Sequence, residues 1–183
     1  MSTEPLLQKP ELVLALSQLD RCRLCMAETL LEAAKALLQP WAAESTLPEP
    51  NRMDVPIPAA DLLAAVKALH DARWGYLSAI TGLDLGPEAG AMEALYHFCM
   101  GAAVVTLRVR LPRDEASVPS VCGLIPSASF FERELSEMFG VTVTDTPDPS
   151  RLFLPDDWPD GVYPLRKDFV MSPTGGGNGA QAE

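Results

Sequence analysis

Between Asp145 and Phe169 the chain carries five prolines and two turn signals, Pro155-Asp156-Asp157-Trp158 and Pro159-Asp160-Gly161. Proline fixes φ and removes a backbone donor, so this stretch is excluded from regular helix and from the interior of a sheet. Yet it also holds Leu152, Phe153, Leu154, Trp158, Tyr163, Leu165 and Phe169, more bulky apolar groups than a solvated linker carries. An extended segment of that composition must lie on something. The expectation from sequence is that residues 145–171 form an extended segment laid on a surface, and that residues 172–183 (SPTGGGNGAQAE) form a flexible tail.

Upstream, the punctuation changes. Residues 11–39 contain neither glycine nor proline and are bracketed by Pro10 and Pro40. Leu12, Leu16 and Leu19, and then Leu30, Ala34 and Leu37, follow helical spacing, which predicts one long helix or two abutting ones in residues 1–40. Prolines at 48, 50, 56 and 58 forbid helix between Trp41 and Pro58 and leave room for an edge strand near Met53 to Ile57. A second helix is expected from Ala59 to Arg73, with Leu62, Val66 and Leu69 on one face.

Period-two signals follow. Trp74 to Thr81 reads as a strand ended by Gly82, and 94–100 and 104–111 read as a hairpin turning at Gly101. Val105, Leu107, Val109 and Leu111 alternate with Thr106, Arg108 and Arg110, the pattern of a sheet with one wet face. A third helix starts near Pro126. Ser129 and Glu132 have capping-box spacing, Phe131, Leu135 and Met138 form an apolar stripe, and Gly140 supplies the stop. Residues 41–144 are thus expected to form an α+β domain, an antiparallel or mixed sheet packed with helices.

The net charge of −11, from 14 basic and 25 acidic residues, argues against nucleic acid or an anionic lipid surface as a direct partner. No run of eighteen apolar residues is present, and the start MSTEPLLQKPE lacks the pattern of a signal peptide. Cys22 and Cys25 make a single CxxC, half a zinc or iron–sulfur site, and they fall inside a predicted helix, so small buried thiols are the expectation. His70 and His97 have no orienting partner in sequence, and Gly175 to Gly177 neither follows a strand nor opens a helix. Glu132 and Glu134 would serve a hydrolase only with a raised pKa and a shared pocket, and two residues apart they point to different sides of a helix. Arg133 and Glu137 have the spacing of a solvated i, i+4 pair.

The blocks FFERELSEMFG, RLFLPDDWPDG and PLRKDF, in that order, resemble the 30 kDa subunit of respiratory complex I, the C subunit of NADH-quinone oxidoreductase, which has counterparts in membrane-bound nickel–iron hydrogenases. The likeness extends upstream through VPSV and LRVRLPR to WGYLSAITGLDL, covering roughly residues 41–170. It implies an α+β domain followed by a segment wrapped along the catalytic large subunit, next to an iron–sulfur subunit, on the cytoplasmic side of the membrane. It also implies that the chain binds no cofactor itself, iron–sulfur clusters and any nickel–iron centre belonging to partners. Glu132, Arg133, Glu134, Trp158, Tyr163, Arg166, Lys167, Asp168 and Phe169 are then the expected partner-binding residues. Aromatic groups would act as anchors and Arg166 and Lys167 would meet carboxylates of the partner. Two spellings depart from the common pattern: Asp145-Thr146 stands where Gly-His usually precedes Pro-Asp, and GVY precedes the PLRKD block. The latter is closer to the hydrogenase-associated branch, so both parent complexes remain open.

Overall fold

A computed structural model describes residues 10–170, with side chains described from Leu24 onward. The expectation for the tail at 172–183 falls outside that range, as do the side chains of Leu12, Leu16, Leu19 and Cys22.

One uninterrupted helix, α1 (Pro10–Leu37), occupies the stretch free of helix breakers and ends just before Pro40. The chain from there to Pro58 holds two strands rather than one: β1 (Thr46–Glu49) and β2 (Arg52–Pro56), joined by a tight turn at Pro50 and Asn51. The edge position belongs to β1. β2 is interior, parallel to β5 through Arg52↔Val104 to Pro56↔Arg108. Pro56 is tolerated because the donor to β5 at this point is the next residue, whose N–H reaches the Arg108 carbonyl at 2.8 Å, so the missing N–H falls on the side away from β5.

After α2 (Leu62–Asp71) come β3 (Tyr76–Asp84), β4 (Ala91–Met100) and β5 (Ala103–Pro112). β4 and β5 form the expected hairpin around a two-residue loop whose Gly101 sits at φ +58°. The expectation that Gly82 ends β3 is corrected, because the strand runs two residues further. Gly82 instead makes space, since a Cβ there would lie 2.3 Å from the ring of Phe139. Sheet order is β1-β2-β5-β4-β3, antiparallel except for β2 and β5, and is therefore mixed.

Leu31, Ala34 and Leu38, Leu62, Val66 and Leu69, and Leu135 and Phe139 of α3 (Ala128–Phe139) join Val55, Tyr96, Val105 and Leu107 in one apolar cluster. All three helices thus cover the same sheet face. The opposite face carries an ion triad in which Arg108 bridges Asp54 and Glu93, and beside it His97 sits between Thr81 and Thr106. This is the wet face that the alternation in β5 called for. A parallel pair, β6 (Ser117–Pro119) and β7 (Thr142–Thr144), clips the chain before α3 to the chain after it.

Candidate interface of the carboxy-terminal segment

Helix α3 is the element on which the proline-rich segment is built. Its hydrophobic stripe buries Leu135 and half-buries Phe131 and Met138, and Gly140 ends it in the left-handed conformation, at φ +72°. The capping box does not form. α3 opens at Ala128, after turns through Val121 and Ile125, so Ser129 is already inside the helix and Glu132 faces inward. Only 1% of Glu132 is exposed. Its carboxylate accepts from Ser120 Oγ at 2.8 Å, the Val121 N–H at 2.7 Å and Cys122 Sγ at 3.2 Å. A charged carboxylate in the interior needs such donors. Glu132 therefore pins the loop after β6 and has no surface to offer a partner, which corrects its assignment as an interface residue. Burial and the same carboxylate push up the pKa values of Cys122 and Tyr96, although the Ser120 hydroxyl works against this at Cys122.

Arg133 and Glu137 do not pair with each other. Both hold the main chain of the segment. Arg133 Nε donates to the Ser150 carbonyl at 2.8 Å, and a second nitrogen reaches the Arg151 carbonyl. Glu137 accepts the successive N–H groups of Leu152, Phe153 and Leu154 at 3.3, 2.9 and 2.7 Å. Such a curl of backbone donors around a carboxylate satisfies three groups that a proline-broken strand would leave open. Arg151 closes the next turn by donating to the Pro155 and Trp158 carbonyls and pairing with Asp160.

Farther on, the Leu165 N–H donates to Met138 O, Arg166 Nε donates to Phe139 O at 2.8 Å, and the Arg166 guanidinium lies over the Tyr163 ring, 4.4 Å from its centroid. Tyr163 packs so closely on Gly140 that a Cβ there would come within 2.4 Å of it. The Lys167 N–H donates to Asp84, and Arg113 joins Asp84 to Asp168. Trp158 donates through Nε1 to the Val162 carbonyl, and its ring centroid lies 6.2 Å from that of Phe169. Glu134 is half-buried on α3.

Two expectations are corrected here. The segment is held by its own domain through hydrogen bonds to its backbone. Arg166, expected to meet a partner's carboxylates, is engaged inside the chain by the Phe139 carbonyl and the Tyr163 ring. The fold leaves three large apolar side chains of the segment uncovered, Phe153 at 63%, Leu165 at 52% and Val170 at 61% exposure, beside the exposed Asp156, Asp157 and Asp160. Asp84, Arg113, Glu137 and Arg151 carry this arrangement, and no sequence pattern marks them for it. Asp84 lies 83 positions from Lys167 and Arg113 lies 55 from Asp168, and no local periodicity reports such contacts.

Among the described residues, no group of three or more His, Cys, Asp or Glu side chains gathers as it would around a metal ion. Cys25 is exposed, against the expectation of a buried thiol, whereas Cys122 is buried. No described helix is long and apolar enough to cross a membrane.

Residues 55–175 match the family described as the respiratory-chain NADH dehydrogenase 30 kDa subunit. The chain is 37% identical over 130 residues to the C subunit of NADH-quinone oxidoreductase of Moorella thermoacetica, covering 68% of this chain and 86% of that relative. It is 35% identical over 123 residues to formate hydrogenlyase subunit 5 of Escherichia coli, covering 66% of this chain and only 22% of that relative. Among solved structures, it is similar to a subunit of the membrane-bound sulfane sulfur reductase, an archaeal respiratory membrane complex (TM-score 0.66, 28% identity, 76% of this chain and 85% of that one). A trypsin-resistant fragment of Nqo5 is also similar (TM-score 0.52, 25% identity, 66% of this chain and 97% of that one). With so much of its sequence and its mixed-sheet domain in common with them, the chain belongs to the family of the 30 kDa subunit of respiratory-chain NADH dehydrogenase.

Proposed function

We propose that this chain is a non-catalytic structural subunit in the peripheral arm of a complex I-type membrane oxidoreductase, an NADH- or ferredoxin-linked quinone reductase. It docks on the catalytic large subunit and keeps it in register with a neighbouring iron–sulfur subunit, on the cytoplasmic side of the membrane. Clusters and any nickel–iron centre reside in those partners, and attachment to the membrane runs through them.

The observation that carries the reading is a preformed segment that leaves large apolar side chains uncovered. Arg133, Glu137, Arg166 and Arg113 fix it on the domain, while Phe153, Leu165 and Val170 face outward. A segment already ordered loses little entropy on docking, so its apolar contacts count almost fully toward affinity. Trp158, Tyr163 and Phe169 stiffen it from within, and Lys167 and Glu134 are read as polar contacts to the partner. The match to formate hydrogenlyase subunit 5 supports the same partner, because more than three quarters of that relative lies outside the shared region, in one polypeptide with it.

The equivalent position in a membrane-bound nickel–iron hydrogenase is the second reading. It is favoured by the hydrogenase names among the relatives, formate hydrogenlyase subunit 5 and hydrogenase-4 component G, and by the GVY spelling before PLRKD. The test is affinity purification from native membranes through a tag on this chain, with metal analysis of what is retained. The reading expects a large subunit and an iron–sulfur subunit in stoichiometric amount, both lost from a Phe153→Asp/Leu165→Asp variant that keeps wild-type stability. Nickel in the retained complex selects the hydrogenase. Recovery of the chain alone, or undiminished recovery of both subunits with the double variant, overturns the reading.

A further inference from the structure

A groove of about 580 Å³ lies between α1 and the edge strand β1. Its floor is Leu31 and Met53, both buried, and its walls are Leu24 and Leu47, which remain 45% and 66% exposed. Leu24, Glu28, Leu31 and Lys35 follow one another along a single stripe of α1, at spacings that stack side chains on one helical face. Every residue named here precedes position 55, where the match to the family model begins.

The shape and charge of the groove select among occupants. β1 is the outermost strand and has a free edge, but Pro48 in its four residues offers no N–H, which blunts that edge against an added strand. Side-chain insertion is then the mode left, as when a helix lays one apolar face in a groove. Glu28 and Glu32 line the α1 wall against a single cation, Lys35. On the β1 side the Arg52 charge is balanced by Glu49 at 3.9 Å. An apolar floor under an acidic wall is complementary to apolar anchors flanked by lysine or arginine.

We infer that the groove between α1 and β1 docks a basic amphipathic helix from another subunit of the same complex. The inference rests on the assembly reading above, but it concerns a surface remote from the proline-rich segment in sequence and built by different elements. Leu24 and Leu47 grip the apolar face of the incoming helix. Glu28 and Glu32 meet its cations, and partial desolvation at the contact strengthens those pairs relative to water.

Cys25 lines the groove and is exposed, which makes it a reporter. The experiment compares N-ethylmaleimide labelling of Cys25 in the isolated full chain and in the complex purified from native membranes, read on the tryptic peptide Leu24–Lys35. A photoreactive p-benzoylphenylalanine at position 47 is cross-linked in the same complex. Labelling is expected to fall about tenfold or more on assembly, because a side chain under a packed interface reacts only when the interface opens. The cross-link is expected on a Lys/Arg-bearing helical segment of one other subunit. In a Leu24→Glu variant the complex is retained, while Cys25 regains its reactivity and the cross-link disappears. Equal labelling in the isolated chain and the complex overturns the inference. So does a cross-link to a second copy, to this chain's own residues or to an acidic segment. A complex that co-purifies with Cys25 still fully reactive leaves the proposed function standing and removes only this groove. Failure to recover any complex strikes the proposed function itself.

Discussion

Arg113 grips Asp84 at two points, Nε to Oδ1 at 2.9 Å and Nη2 to Oδ2 at 3.0 Å, with both side chains buried, and the same guanidinium reaches out to Asp168. Asp84 ends β3, Arg113 follows β5, and Asp168 lies near the end of the proline-rich segment. One cation thus ties the sheet to the interface segment. Asp84 has no idle acceptor, because it also takes the N–H groups of Gly86 and Lys167.

Replacing Arg113 by leucine leaves the Asp84 carboxylate buried without its partner. Breaking a buried pair from one side costs about 3–5 kcal/mol, whereas replacing both partners by apolar groups is often close to neutral. Arg113→Leu is therefore expected to lose stability of that order in urea unfolding, and Asp84→Leu/Arg113→Leu to recover most of it. Limited proteolysis should cut near Lys167 in the single variant before the domain itself is attacked.

Acid should act on the same pair. The hydrogen bond from Arg113, aided by the N–H groups of Lys167 and Gly86, holds the Asp84 carboxyl far below its ordinary value of 3.8, and Arg113 lowers Asp168 too. The unfolded chain then binds more protons than the folded one in the acid range. The contribution is complete above the ordinary aspartate value and is lost as pH falls through the folded value. His97 acts in the same direction higher on the scale. Burial, with Arg52 nearby, lowers it from 6.5, so its neutral form favours folding above that value and the benefit fades on acidification. Between pH 7.5 and 5.5 the wild-type unfolding midpoint should fall, and it should fall less in His97→Gln.

Glu137→Ala removes the acceptor for three consecutive N–H groups. Hydrogen bonds to a charged group are worth about 1.5–3 kcal/mol each at most, so amide exchange at Leu152, Phe153 and Leu154 should accelerate by about tenfold or more. Exchange at the centre of α3 should stay unchanged. Equal protection in wild type and variant would mean that the segment is held by something other than this carboxylate.

Gly82→Ala tests the contact between β3 and α3. Its φ is ordinary, so the cost is purely steric, the new methyl meeting the Phe139 ring at 2.3–2.7 Å. Overpacking of this kind costs about 1–3 kcal/mol, and a Phe139→Leu change in the same chain should return part of it. Additive losses in the double variant would place the strain elsewhere.

Much of this chain is legible from local rules alone. The breaker-free run between Pro10 and Pro40 marks α1, the alternation of Val105, Leu107, Val109 and Leu111 marks a half-buried strand, and Gly140 marks the end of α3. Each is a statement about neighbours within a few residues, which is the range over which φ preferences and side-chain periodicity act. Local rules failed where a distant group took over. Ser129 and Glu132 have the spacing of a cap, but Glu132 is claimed by the loop 120–122. Arg133 and Glu137 have the spacing of a pair, but both are claimed by backbone of residues 150–154.

The sequence by itself determined that residues 145–170 would be extended and would need a surface, because proline and turn chemistry are properties of the local chain. Only the tertiary structure decided which surface holds the backbone and which side chains are left over. Those outcomes depend on α3, β3 and the end of β5 converging, with Asp84, Arg113 and Asp168 brought together from three parts of the chain. A hydrogen bond between such distant positions exists only once the core has closed and set the distance between them.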